Sequence, residues 1–189
     1  IFDSNILDEC VYECADCGAF YTSGVNGMAW VNRGNVLTNS AFRNIGSIAV
    51  YLDDQMSGWK ISDNHLHGAT GANSGFMLGG GRRNHVQRNT ITGGFARAVT
   101  MLHVAYQYPQ LSARVRELLY PGSPWPVEYP ELLNVTTDHF GLPIRTEIVD
   151  NVYDSPTFLQ TSATGPTTPS QNAANLEAWL SVAANNTKV

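Results

Sequence analysis

Three stretches decide the architecture: GNVLTNSAFRNIGSIAVYLDD at residues 34–54, GWKISDNHLHGATGANSGFMLGG at 58–80 and RNHVQRNTITGGFARAVTMLH at 83–103. They align on Asn39, Asn64 and Asn89, and both intervals are 25 residues. Each asparagine is followed by a short apolar run: Ala49-Val50-Tyr51-Leu52, Gly75-Phe76-Met77-Leu78 and Ala98-Val99-Thr100-Met101. An imperfect earlier copy carries Asn5 and Ala19-Phe20-Tyr21-Thr22, and a later one carries Asn151 in IVDNVYDSPTFLQ. A period near 25 residues, built from short alternating runs with frequent Gly and Asn, suits neither a leucine-rich repeat nor a propeller blade. It predicts an all-β chain, a right-handed parallel β-helix of about five coils that share one core. The recurring asparagine is expected to occupy left-handed turn geometry and to form a side-chain ladder along the axis.

Strand side chains alternate between faces, so stacking the coils assigns them. Phe20, Val50, Phe76 and Val99 form one inward column, and Thr22, Leu52, Leu78 and Met101 a second. Tyr21, Tyr51, Met77 and Thr100 face outward, as do Ser23, Asp53, Gly79 and Leu102.

The period breaks after Leu102. Residues 106–143 cannot form one coil and read as a partly helical insertion loop, with Ser112 capping a helix that carries Val115, Leu118 and Leu119. The expected organisation is coils with this insertion over 1–158, then a linker and a short C-terminal helix over 159–189. That helix spans Asn172 to Val182, with Leu176, Trp179 and Leu180 on its apolar face.

Composition narrows the partners. The net charge is −5 and Lys60 and Lys188 are the two lysines, which excludes the clustered cations a nucleic-acid partner requires. No apolar run approaches the roughly 18 residues of a membrane span. The chain opens at Ile1, so it reads as a processed chain or a fragment, with a missing segment or a partner subunit covering the solenoid end. The sequons Asn134-Val135-Thr136 and Asn185-Asn186-Thr187 point to an extracellular or secreted protein.

Cys10, Cys14 and Cys17 are spaced like the cradle of an iron–sulfur cluster, but such cradles sit in α/β barrels, and no β/α alternation is present. A local disulfide, free thiols, pairing with a cysteine elsewhere and a metal site stay open.

The densest polar group is YLDDQMSG, residues 51–58. Asp53 faces outward and Asp54 opens the turn. Gly79 and Gly80 follow one coil on, and His103 follows two coils on, leaving a side-chain-free floor roughly 10 Å wide, enough for a sugar ring. Arg82 is expected at the lip, where it could take a carboxylate or sulfate. Tyr21, Tyr51 and Trp125 offer stacking faces. His65 and His67 alternate with Leu66 as a metal pair would, but belong to another strand. Asp16 lies well back from Asp53 unless the chain bends before Gly18.

The chain resembles a group of right-handed parallel β-helix (pectate-lyase-like) repeat proteins. The residues that carry this are Asp16-Cys17-Gly18-Ala19-Phe20-Tyr21-Thr22, Arg33-Gly34-Asn35-Val36-Leu37-Thr38-Asn39, Tyr51 to Asp54, Gly79 to Arg82, and Trp125 with Tyr129-Pro130-Glu131-Leu132. The group is similar to carbohydrate-active β-helix glycoside hydrolases acting on fucosides or xylan, and more distantly to polysaccharide lyases. The resemblance implies two catalytic aspartates, here Asp16 and one of Asp53 and Asp54.

Two functions follow as expectations. One is a glycoside hydrolase-like enzyme acting on an extracellular poly- or oligosaccharide, with one carboxyl as acid and the other as nucleophile or base. It needs no cofactor. A lyase version would use Ca²⁺ or arginine to neutralise a uronate. The other is a non-catalytic glycan-binding or structural solenoid module.

Overall fold

The computed structural model describes residues 1–24, 34–70, 74–103, 113, 116–117, 119–128, 130, 132–135, 137–139, 142–162 and 175–189. Each coil contributes three short strands. The first coil holds β1 (Phe2–Asp3), β2 (Ile6–Asp8) and β3 (Gly18–Ser23), and the second β4 (Asn35–Thr38), β5 (Ala41–Ile45) and β6 (Ile48–Asp53). The third holds β7 (Trp59–Ser62), β8 (His65–Ala69) and β9 (Ser74–Gly79), and the fourth β10 (His85–Gln87), β11 (Thr90–Thr92) and β12 (Arg97–Leu102). The fifth holds β13 (Glu147–Val149), β14 (Val152–Tyr153) and β15 (Thr157–Ser162). A sixth, partial coil adds β16 (Val182–Ala184) and β17 (Thr187–Lys188).

Like strands of successive coils pair in parallel, giving sheets ordered β1-β4-β7-β10-β13-β16, β2-β5-β8-β11-β14-β17 and β3-β6-β9-β12-β15. The protein is a right-handed parallel β-helix, the hand that right-twisted strands impose on parallel crossovers.

Register follows the sequence alternation. Phe20, Val50, Phe76, Val99 and Leu159 stack in one column, and Thr22, Leu52, Leu78, Met101 and Thr161 in another. In the second sheet Phe42, Leu66 and Ile91 stack inward and are fully buried. Burying such side chains contributes roughly 1.5–3 kcal/mol each, so the stacked columns dominate stability.

The asparagine ladder exists on the expected Asn5, Asn64, Asn89 and Asn151, and departs from the expected alignment at one rung, Asn39. The stacked column is Asn5, Ser40, Asn64, Asn89, Asn151 and Asn186. Asn64 donates its backbone N–H and its Nδ2 to Asn89 Oδ1, both at 3.0 Å, and Asn89 does the same to Asn151. Ser40 occupies the rung assigned to Asn39, giving its N–H to Asn64 Oδ1. Left-handed backbone belongs instead to the residue before each rung: Ser4, Asn39, Asp63, Arg88, Asp150 and Asn185 all have φ between 49° and 60°. The ladder asparagines are kept because their amides bridge coils; tolerance of positive φ explains their neighbours. A second positive-φ column, Gly34, Gly58, Arg83, Arg145 and Leu180, turns the chain into the first sheet of each coil.

The insertion leaves the solenoid after β12 and rejoins it before β13. Its described helical turns include α1 (Trp125–Glu128) and α2 (Leu132–Val135); most of the helix expected after Ser112 lies outside the described residues. The segment 159–189 departs from its reading as linker plus helix. Residues 157–162 are strand, and after one helical turn at 175–178 the chain returns to the solenoid as β16 and β17. The turn ends at Leu180, whose φ is 52°, with Leu180 N–H on Glu177 O and Ser181 N–H on Leu176 O. That two-bond termination closes the helix, so Leu180 is exposed while Trp179 is buried. Among the described residues no helix is long and apolar enough to cross a membrane.

Candidate functional site

Adjacent coils bring Tyr21, Ser23, Tyr51, Asp53 and Asp54 together because Tyr21 pairs with Tyr51 and Ser23 with Asp53. The two tyrosine rings meet edge to face with centroids 5.2 Å apart. Tyr21 donates its hydroxyl to Asp53 Oδ2 at 2.7 Å, and the Asp54 N–H donates to Asp53 Oδ1 at 2.8 Å. Ser23 donates to Asp54 Oδ2 at 2.8 Å. Sequence alternation placed Ser23 on this face; its role as a partner of Asp54 needed the turn geometry.

That turn is unusual. Met56 N–H returns to Asp53 O at 3.0 Å, and the two residues between, Asp54 and Gln55, have φ of 45° and 69°. Two positive-φ central residues make a type I′-like turn, which favours Gly or Asn. Holding non-glycine residues there costs on the order of 1–3 kcal/mol each. Gln55 N–H on Gly79 O and Ser57 Oγ on Gln55 O help offset it. The turn aims the Asp54 carboxyl back toward Ser23.

Burial raises the pKa of Asp54 above the usual carboxylate range; the Ser23 hydrogen bond opposes this, and the charges of Asp53 and Asp16 add to it. Tyr21 and Tyr51 are pushed above the usual phenol range, by burial first and then by Asp53, with Asp16 also acting on Tyr51. Asp16 therefore belongs to the same electrostatic group. Asp16 lies exposed in the loop closed by the Cys14–Cys17 disulfide, two residues before β3. Cys10 is a free thiol. No group of His, Cys, Asp and Glu suited to a metal ion occurs among the described residues.

Other expected residues fall elsewhere. Gly79 and Gly80, the expected floor, are buried, whereas Asp16 is exposed and Tyr21 is 48% exposed. His103 continues the column of Gly80 and Asp54, since Leu102 pairs with Gly79, and is half-buried. Trp125 lies in α1, its N–H on Ser123 Oγ at 3.3 Å.

Arg82 is not at the lip. It is 5% exposed, and its guanidinium donates to Asp138 Oδ2 at 3.0 Å and to Asp138 O at 2.7 Å. Arg145 completes the cluster, donating to both oxygens of Asp138. Burial draws Arg82 down to about 10. The Arg145 hydrogen bonds, aided by His139 and Arg82, hold Asp138 well below the usual carboxylate range. A turn-forming Arg-Arg pair reads as solvated from sequence alone. Its partner Asp138 lies 56 residues away, and no local signal joins the two.

His65 and His67 lie with ring centroids 6.0 Å apart, and His67 Nδ1 engages Thr92 Oγ1 at 3.1 Å. No protein-family model matches this chain, nor does any curated protein or any solved structure.

Proposed function

We propose that this β-helix acts on an extracellular poly- or oligosaccharide as a glycoside hydrolase, and that it belongs with the carbohydrate-active β-helix enzymes it resembles. The observation that carries the reading is the split environment of three neighbouring carboxyl groups. Asp54 is half-buried with a raised pKa, as suits an acid that protonates a leaving oxygen. Asp16 is exposed and serves as nucleophile or as base for water. Asp53 has both oxygens occupied, by Tyr21 and by the Asp54 amide; it positions the other groups. The exposed edge of Tyr21 offers a sugar ring an apolar face.

The test is release of reducing ends from a panel of plant, algal and bacterial polysaccharides, comparing the wild type with Asp54→Asn and Asp16→Asn. The reading expects loss of at least about 10²-fold in kcat for each variant. It also expects wild-type activity to fall as pH rises through the Asp54 pKa, since the acid must be protonated. Equal turnover by all three proteins would sink it.

One observation favours the non-catalytic reading: Asp53 and Asp54 are both satisfied internally, by Tyr21 and Ser23. A binding module would retain glycan affinity in the Asp54→Asn variant and show no cleavage by any of the three.

A further inference from the structure

We infer that Cys10 and the Cys14–Cys17 disulfide form an internal exchange switch that sets the position of Asp16. As regulation of the candidate site, the inference rests on the hydrolase reading, although the exchange itself does not.

The loop 10–17 is a closed excursion with a narrow base. The Cys10 carbonyl accepts from Gly46 N–H at 3.0 Å and the Cys17 carbonyl from Ile48 N–H at 3.3 Å. Those amides are two residues apart on the next coil, so the ends of the excursion are separated by on the order of 7 Å. Ser47, between them, donates to Ala15 O at 3.1 Å, and Tyr12 donates to Asn44 O at 2.8 Å. The loop lies directly on Gly46, where a Cβ would come within 2.6 Å of Tyr12 Cα. Three sulfurs are thus confined to one small loop pinned to the second coil.

The loop is also strained. Val11, next to Cys10, has φ of 56°, a region that β-branched residues avoid. Cys10 is half-buried against the core, and its thiol makes a 3.4 Å contact with Asp8 O. The exchange requires Cys10 to leave that contact and its Sγ to turn toward the base of the loop.

The step balances without an outside oxidant or reductant. Cys10 loses its thiol proton and its thiolate attacks Sγ of Cys17. The Cys10–Cys17 bond forms, the Cys14–Cys17 bond breaks, and the electron pair leaves on Cys14, which takes up the proton. Asp16 sits inside the small Cys14–Cys17 ring. Exchange enlarges that ring to residues 10–17 and frees the segment from Cys14 to Asp16, withdrawing the Asp16 charge from Tyr51 and Asp54.

The experiment incubates the purified wild-type chain at pH 6 and at pH 8.5 without added thiol, quenches in acid, alkylates, and maps the label by peptide mass spectrometry. The expected result is label on Cys10 at pH 6 and on both Cys10 and Cys14 at pH 8.5. Label confined to Cys10 at both pH values overturns the switch, and label appearing on Cys17 overturns the assigned connectivity. A carboxyl-carbon NMR titration of each isomer reads the consequence: the Asp54 pKa falls in the Cys10–Cys17 form. An unchanged titration overturns the control of Asp16. Neither readout needs turnover, so a protein that exchanges but cleaves no glycan refutes the hydrolase reading alone.

Discussion

The Ser23 hydroxyl donates to Asp54 Oδ2 at 2.8 Å, bridging two adjacent coils. It is the contact that favours the charged form of a carboxyl group whose pKa burial and two like charges raise. Ser23→Ala should therefore raise the Asp54 pKa further. NMR titration of the aspartate carboxyl carbons checks this, and an unchanged or lower value would show that another group dominates.

Asp54 should cost the fold stability at neutral pH. Its folded pKa lies above the unfolded value, so the native state binds the extra proton. Its cost is absent below the unfolded pKa of about 3.9 and grows as pH rises through the folded one. Asn accepts the same Ser23 bond and tolerates the positive φ of this turn. Asp54→Asn is expected to raise Tm at pH 7 and to leave it unchanged near pH 3, as thermal unfolding at the two pH values will show. A lower Tm at pH 7 would refute the argument.

The ladder makes Asn89 and Asn39 unequal although the repeat writes them alike. Asn89→Ala removes the acceptor for two donors of Asn64 and the donor to Ile61 O, all buried, and should cost about 2–4 kcal/mol. Asn39 is exposed and has φ of 49°. Asn39→Gly should change stability by less than about 1 kcal/mol, because glycine adopts that backbone freely. Urea unfolding of both variants distinguishes the two positions, and equal losses would refute the shifted rung.

Asp138 ties the insertion to the solenoid through Arg82 and Arg145. Asp138→Asn cannot pair two guanidinium groups and leaves Arg82 buried beside a neutral amide, at a cost of about 1–3 kcal/mol at pH 7. Because the folded pKa of Asp138 is depressed, its stabilisation is complete above the unfolded value and fades as pH falls through the folded one. Wild-type stability should thus decline below about pH 4, and the variant should decline less. Parallel curves for the two proteins in acid would show that the cluster contributes nothing.

Much of the solenoid was legible in sequence because a parallel stack repeats one local pattern, and alternation assigns a face to every strand residue. The columns through Phe76 and Leu78 and the neighbours Tyr21, Tyr51 and Asp53 followed from that rule. It failed at one rung of the ladder, by one position. Asn39 and Asn64 align as letters, but the coil between Ser40 and Asn64 spans 24 residues and the next 25, a difference only coil-to-coil hydrogen bonds reveal. It failed again past residue 159, where the separation of β15 from β16 hid the return of the chain to the sheets.

By itself, then, the sequence determined the architecture and the outward polar column, because those depend on period and alternation, which are local. The tertiary structure alone decided two things: that Arg82 is buried under Asp138 and that Asp54 is turned toward Ser23. Each depends on groups distant in the chain meeting across coils or on a turn of positive φ. Such contacts are set by the packing of the whole stack, and no local pattern encodes them.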